Sequence, residues 1–255
     1  MGPSAIRALA GVLVAAVLAA MPAGPAAAQG AGTTAIVAVN NAPPYRIIEH
    51  AGGTVRLSGI YVDIVRDMAR RADLALEFQE VPFRRALKLM EDGRADIMVG
   101  PNRTPEREGY LYFLDVPLTA EAKAFYGRPG SAPVAGYGDL AGKRIAVLRG
   151  ATYFPPFDGD AALSKVETAD YPTAVRLVAG GRVDLVVMPE LLGDHLVKVS
   201  GAPLVKGTYR APGRPSYIAV SRRAHRIITL VPVLERALSD AIADGTVNRI
   251  LESYR

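Results

Sequence analysis

The sequence contains no cysteine. That excludes disulfides, thiol catalysis and a lipid anchor carried on a cysteine. Histidine is scarce: His50, His195 and His225 lie far apart, without an H-E-x-x-H pair or other ligand spacing. No metal site is expected from them. Glycine-rich phosphate loops of the G-x-G-x-x-G or G-x-x-x-x-G-K-[ST] type are missing, as is a G-x-S-x-G elbow. A nucleotide cofactor and a serine hydrolase are therefore not expected, and no cofactor of any kind is. The net charge is +5, but the basic residues are dispersed and not interleaved with aromatics. This pattern suits a solvated surface rather than a nucleic-acid partner. Past residue 28 there is no long apolar run, so nothing there should cross a bilayer.

Residues 1–28 differ from the rest. Arg7 is their one charge, Ala8 to Met21 is a short apolar stretch, and Ala26-Ala27-Ala28 precedes Gln29. This reads as a secretory signal peptide with an A-x-A cleavage site, too short to span comfortably. The remaining chain is expected to be a monomer, exported to the periplasm. With half of its 255 residues hydrophobic and 22% charged, it can fill one large or two modest cores.

The stretch from Val81 to Arg107 organises the chain. Phe83, Ala86, Leu87 and Met90 recur at helical spacing, and Gly93 stands where a left-handed residue would end that helix. Ala95 to Val99 reads as a buried strand, and Gly100-Pro101-Asn102-Arg103 as a loop. Thr104-Pro105 should cap a new helix carrying Arg107 in its first turn, a setting that favours a small anion. The pattern recurs: seven of the sixteen positions from Ala86 to Pro101 match those from Ala174 to Pro189, at a constant offset of 88 residues. Such a period is too long for a solenoid and implies two similar α/β lobes facing a cleft.

Elsewhere Thr34–Val39 reads as a first strand, ending in a loop that carries Asn40, Asn41 and Tyr45. A Gly-Gly hairpin follows over 47–55, then a helix over 61–72 and a strand over 74–81. Ala122–Gly127 should leave the first lobe. Lys143–Leu148 is a strand whose end presents Gly150 and Thr152. A short strand over 166–169, a helix over 172–179 and a strand over 183–188 follow. The strand at Tyr217–Val220 should return to the first lobe, followed by a long helix to Gly245 and a short one capped by Thr246. Asp96 and Asp184 follow Gly-Arg within strands, and should bond backbone or arginine groups rather than catalyse.

Joint order and spacing now carry a resemblance. Gly59-Ile-Tyr-Val-Asp-Ile-Val-Arg-Asp-Met, Gly93-Arg-Ala-Asp-Ile-Met-Val-Gly, Thr104-Pro-Glu-Arg107 with Phe113-Leu-Asp-Val-Pro, Leu140-Ala-Gly-Lys-Arg-Ile-Ala-Val-Leu-Arg-Gly and Ala243-Asp-Gly-Thr-Val-Asn-Arg-Ile-Leu occur in that order. Together they resemble the bacterial extracellular solute-binding proteins of family 3, periplasmic receptors of polar amino-acid ABC importers. The resemblance implies the type II periplasmic-binding-protein fold: two Rossmann-like α/β lobes joined by a two-segment hinge. Lobe 1 would take 29–126 and 216–255, and lobe 2 would take 127–215, with hinge crossings near Phe125–Gly127 and Arg214–Tyr217. It implies that Arg107 clamps a ligand carboxylate, with Gly100 and Asn102 beside it. Gly150 and Thr152 would complete the carboxylate site, and Tyr45 and Phe83 would supply aromatic walls.

Two departures stand out. Relatives that bind α-amino acids usually place an acid after the first strand, where this chain has Asn40 and Asn41, and an Asp at the end of the repeated strand, where it has Pro189. Glu190, next door, is then the candidate partner for a ligand ammonium. The expected partners are a small carboxylate-bearing solute and, transiently, an ABC importer permease. Two other classes stay open: an enzyme like cyclohexadienyl dehydratase with Glu190 as general acid, and a sensor for a membrane signalling partner.

Overall fold

The computed structural model describes residues 33–254. The expected signal peptide lies outside the described residues. Among those described, no helix is long and apolar enough to cross a membrane.

Twelve strands and seven α-helices alternate along the described chain. The first sheet contains β1 (Thr34–Val39), β4 (Ala75–Glu80), β5 (Ile97–Asn102), β6 (Leu111–Phe113) and β12 (Ser216–Ser221), in the order β4-β1-β5-β12-β6. The second contains β7 (Lys123–Gly127), β8 (Arg144–Leu148), β9 (Ser164–Thr168), β10 (Leu185–Pro189) and β11 (Val205–Ala211), in the order β11-β7-β10-β8-β9. In each sheet three parallel strands are joined by an antiparallel fourth, β12 beside β5 and β7 beside β10. The two orders superimpose strand for strand. A separate hairpin pairs β2 (Ile47–Ala51) with β3 (Thr54–Ser58).

The duplicated sequence occupies equivalent places. Helix α2 (Phe83–Glu91) leads to β5, and α4 (Tyr171–Ala179) leads to β10. Gly93 and Gly181 both have φ of 70°. Each ends its helix in the left-handed turn that a side chain resists. The N–H groups of Arg94 and Arg182 close the same bond, to Leu89 O (2.8 Å) and Leu177 O (2.9 Å). The two aspartates also act alike: Asp96 Oδ2 accepts Ile36 N–H and Asp184 Oδ2 accepts Arg144 N–H, each at 2.8 Å. Each carboxylate ties the foot of its strand to the neighbouring parallel strand. Each also takes an arginine, Arg226 for Asp96 and Arg144 for Asp184, as their setting in the sequence suggests.

Helix α1 (Ile60–Arg71) buries Ile60, Ile64, Val65 and Met68, one stripe at helical spacing, on the first sheet. After β12 the chain returns to that lobe as α6 (Val231–Ala243) and α7 (Thr246–Ser253). Tyr254 Oη donates to Asp63 Oδ2 (2.6 Å), and Arg71 pairs with Asp244 (2.7 Å), so the end of the chain is tied to α1. Beneath the second sheet Phe125, Phe154 and Phe157 form an aromatic core, with ring centroids 5.3–6.4 Å apart.

Two expectations are corrected. The strand at Lys123–Gly127 does not leave the first lobe; it is an inner strand of the second sheet. The first crossing therefore lies between β6 and β7, ahead of Phe125–Gly127. Gly100-Pro101-Asn102 is not a loop, because β5 runs on to Asn102, where it meets Ser216 of β12. The helix at Thr104 is the single turn α3 (Pro105–Glu108), with Thr104 Oγ1 accepting Arg107 N–H (3.3 Å). Residues 190–211, left unassigned by periodicity, form α5 (Glu190–Ser200) and β11.

Candidate functional site

Parallel strands end with their unpaired backbone and following loops on one side of a sheet, where ligands gather. Here β1, β5, β8 and β10 all send their carboxyl ends or following loops to one cavity between the lobes, of ≈ 70 Å³. Of the expected site residues, Tyr45, Phe83, Gly100, Asn102 and Thr152 line it. The two segments that join the lobes run side by side at its edge. Leu118 N–H donates to Ser216 O (2.8 Å), and Ser216 N–H to Thr119 O (2.7 Å). Gly213 packs so tightly on the Glu121 backbone that a Cβ there would overlap its carbonyl oxygen.

Four expected residues sit elsewhere. Arg107 is 4% exposed and is not part of the lining. Its Nη1 donates to Asn102 O (2.9 Å) and its Nη2 to Gly150 O (2.7 Å), with the guanidinium carbon 5.8 Å from the Phe83 ring centre. In this structure it fastens one lobe to the other, and burial lowers its pKa from the ordinary arginine value. Gly150 thus offers its carbonyl to Arg107 rather than its N–H to the cavity. Asn41 Oδ1 accepts Ile48 N–H (3.2 Å) and lines a different interlobe groove. Glu190 does not face the cavity. Its Oε1 accepts from Lys206 Nζ and Arg210 Nε, both at 2.8 Å, and these cations hold its carboxyl below the usual range. The cause is local topology: Glu190 opens α5 beside β11, and β11 supplies both cations.

Residues that the sequence reading passed over complete the walls. Arg46 is 7% exposed; its Nε donates to Asn40 O (3.1 Å) and its Nη1 to Val99 O (2.9 Å). Gly100 makes this possible, for it has φ of 95° and a Cβ there would strike Arg46 Nη1 and touch the Tyr61 ring. Tyr61 lies 4.6 Å from Tyr45, ring centre to ring centre, and its hydroxyl bonds Thr119. Glu121 and Lys123 enter from the start of β7. Burial raises the Glu121 pKa, outweighing the Tyr45 hydroxyl and the Lys123 charge, and burial lowers that of Lys123. Glu121 Oε2 and Tyr45 Oη are both buried and face each other, the hydroxyl serving the carboxylate. The signal was in the sequence: two charges, Glu121 and Lys123, stand among alanines just where the chain enters a strand.

Outside the cavity, Arg84, Arg85 and Lys88 of α2 share an open groove with Arg149 of the second lobe. The lobes approach closely there, with Arg84 Cβ 3.3 Å from where a Cβ on Gly150 would stand.

The description "bacterial extracellular solute-binding proteins, family 3" matches residues 35–255. A protein of Vibrio harveyi named as an amino-acid ABC transporter-binding protein, PatH, is 29% identical over 76% of this chain and 79% of its own length. Among solved structures, a histidine kinase sensor domain with similarity to periplasmic binding proteins aligns with TM-score 0.77 at 23% identity, covering 88% of this chain and 96% of its own. An ancestral arginine-binding protein bound to arginine aligns with TM-score 0.76 at 24% identity, covering 87% and 98%. These alignments show the same two-lobe fold. With a family match across nearly all the described chain, this protein belongs to the bacterial extracellular solute-binding proteins, family 3.

Proposed function

We propose that the protein is the periplasmic receptor of an ABC importer, and that it captures a small carboxylate-bearing solute of the amino-acid class by hinge closure. The single observation that carries this reading is the interlobe cavity, where buried polar side chains from both lobes converge, Arg46 from the first and Lys123 from the second. The reading divides the mature chain into lobe 1, running up to the first crossing and resuming at β12, and lobe 2, from β7 to β11. Closure moves one lobe against the other about the paired segments near Thr119 and Ser216. Arg107, anchored on Asn102 O, then engages Gly150 across the cleft and holds the closed form. Binding without turnover agrees with Glu190, which two cations hold ionised and which is therefore unsuited to act as a general acid. Chain export, monomeric state and handover to a permease belong to the same proposal.

The test is a thermal-shift screen of the twenty amino acids and small carboxylates. A ligand that binds only the folded state raises the melting temperature. At least one amino acid should raise it in a concentration-dependent way. If none does, the amino-acid receptor reading is wrong.

A further inference from the structure

The groove between α2 and the end of β8 is lined by four cations and no acid: Arg84, Arg85 and Lys88 from the first lobe and Arg149 from the second, beside Pro82 and Ala169. All four are exposed. Arg84 and Lys88 stand four residues apart and Arg85 and Lys88 three, so like charges are neighbours on the helix surface, which is unfavourable. The first turn of α2 has no acid to offset them. Lys88 Nζ is shared between Glu91 (3.1 Å) and Asp92 (3.0 Å), and Arg149 Nε meets Glu167 (3.0 Å). Glu91 and Glu167 line a neighbouring groove rather than this one. Among the described residues, Arg84 and Arg85 form no ion pair and no side-chain hydrogen bond, unlike Lys88 on the same helix.

The two sides of the groove are close together. Arg84 Cβ lies 3.3 Å from where a Cβ on Gly150 would stand, and Arg149 is the residue before. Arg149 spends only its Nε on Glu167 and keeps both Nη groups. Arg84 and Arg85 keep their whole guanidinium forks. Such forks match the geometry of carboxylate and phosphate oxygens, and a cation on each side favours an anion of more than one charge. Size favours a small one. Arg84 to Lys88 is one turn of α2, about 6 Å along its axis, and the groove has ≈ 400 Å³.

We propose that this groove is a second binding site, for a free divalent oxyanion of the phosphate type, held by Arg84 and Arg85 on one lobe and Arg149 on the other. An anion there touches both lobes only when they are together. It therefore favours the closed form and tightens capture in the cavity, and a captured solute tightens the anion by the same factor. The site itself needs only the four cations. Its coupling to capture rests on the receptor reading above.

The test is titration calorimetry of the purified protein with inorganic phosphate at low millimolar concentration, with chloride holding ionic strength constant so that screening does not differ. Phosphate should bind wild type in one saturable step. The double variant Arg84→Gln, Arg85→Gln and the single variant Arg149→Gln should each weaken it about fivefold or more, because a charged donor is lost on one side. All three positions are exposed and glutamine suits a helix, so both variants should melt as wild type does. With an amino acid that raises the melting temperature, wild-type affinity should be about fivefold higher in phosphate than in chloride, and equal in the two for either variant. No phosphate binding, or binding unchanged in both variants, overturns the site and leaves the receptor reading standing. Loss in the α2 variant but not in Arg149→Gln overturns the bridge between lobes. Phosphate binding that leaves amino-acid affinity unmoved overturns the coupling. Failure of every amino acid overturns the receptor reading, and the phosphate titrations still decide the site.

Discussion

Arg107→Ala separates two roles for one side chain. The guanidinium makes one bond within its own lobe, to Asn102 O, and one across the cleft, to Gly150 O at 2.7 Å. Only the second depends on closure. A hydrogen bond from a charged donor contributes about 1.5–3 kcal/mol net. Ligand affinity includes the free energy of closing, so losing that bond should weaken binding by the same amount, roughly 10- to 150-fold. The bond to Asn102 O exists in both states, and its loss should lower the melting temperature without changing affinity. Arg107→Lys keeps the charge but not the fork. It can reach one carbonyl and should fall between wild type and Arg107→Ala. The assay is calorimetry with an amino acid that raises the melting temperature, paired with small-angle scattering of free and saturated protein. The variant should need more ligand to reach the compact form. An affinity within twofold of wild type would refute the cross-cleft role. A loss well beyond about 3 kcal/mol would mean that the guanidinium reaches the ligand carboxylate itself, the clamp that the family resemblance implies.

Three further outcomes are expected. Asp96→Ala should cost about 3 kcal/mol in urea unfolding, because it removes a 1% exposed carboxylate that serves Ile36 N–H and Arg226; its counterpart Asp184→Ala, on a more exposed pair, should cost about 1 kcal/mol. The Asp184 carboxyl is lowered to about 2 by its bonds from Arg144, so its contribution is complete above the ordinary value of 3.8 and is lost as pH falls from there through 2, which acid melts of wild type and Asp184→Ala should resolve. Gly100→Ala should cost about 1–3 kcal/mol for its left-handed backbone and displace Arg46, weakening ligand binding as well as stability.

The strongly periodic parts of the chain were legible. Helices such as α1 and α2 bury a regular stripe, and the 88-residue repeat reported equivalent turns and equivalent aspartates. What escaped notice was interrupted by glycine for packing reasons. In α5, Gly193 lies against the Tyr126 ring, and in β11, Gly207 meets the Val134 carbonyl. Both break a pattern that neighbours, not propensity, restore. In the site, the strand ends and loops were legible because their position follows from α/β topology. The direction in which a side chain points was not. Glu190 looked available until β11, itself unassigned, brought Lys206 and Arg210 to it. Arg46 stood beside Tyr45 throughout, but it turns inward to Val99 O, 53 residues away in sequence, only because Gly100 next to that carbonyl leaves room.

The groove shared by Arg84, Arg85, Lys88 and Arg149 has a mechanical consequence. On the hinge-closure proposal, shutting the jaws drives like charge toward like charge, with Lys88 offset by Glu91 and Asp92 and Arg149 by Glu167. The unliganded molecule should then be biased to gape, more strongly at low salt. At about 0.1 M salt the screening distance is about 10 Å. Dilute surroundings should hold it ajar and draw anionic groups inward, and brine should let it snap shut more cheaply.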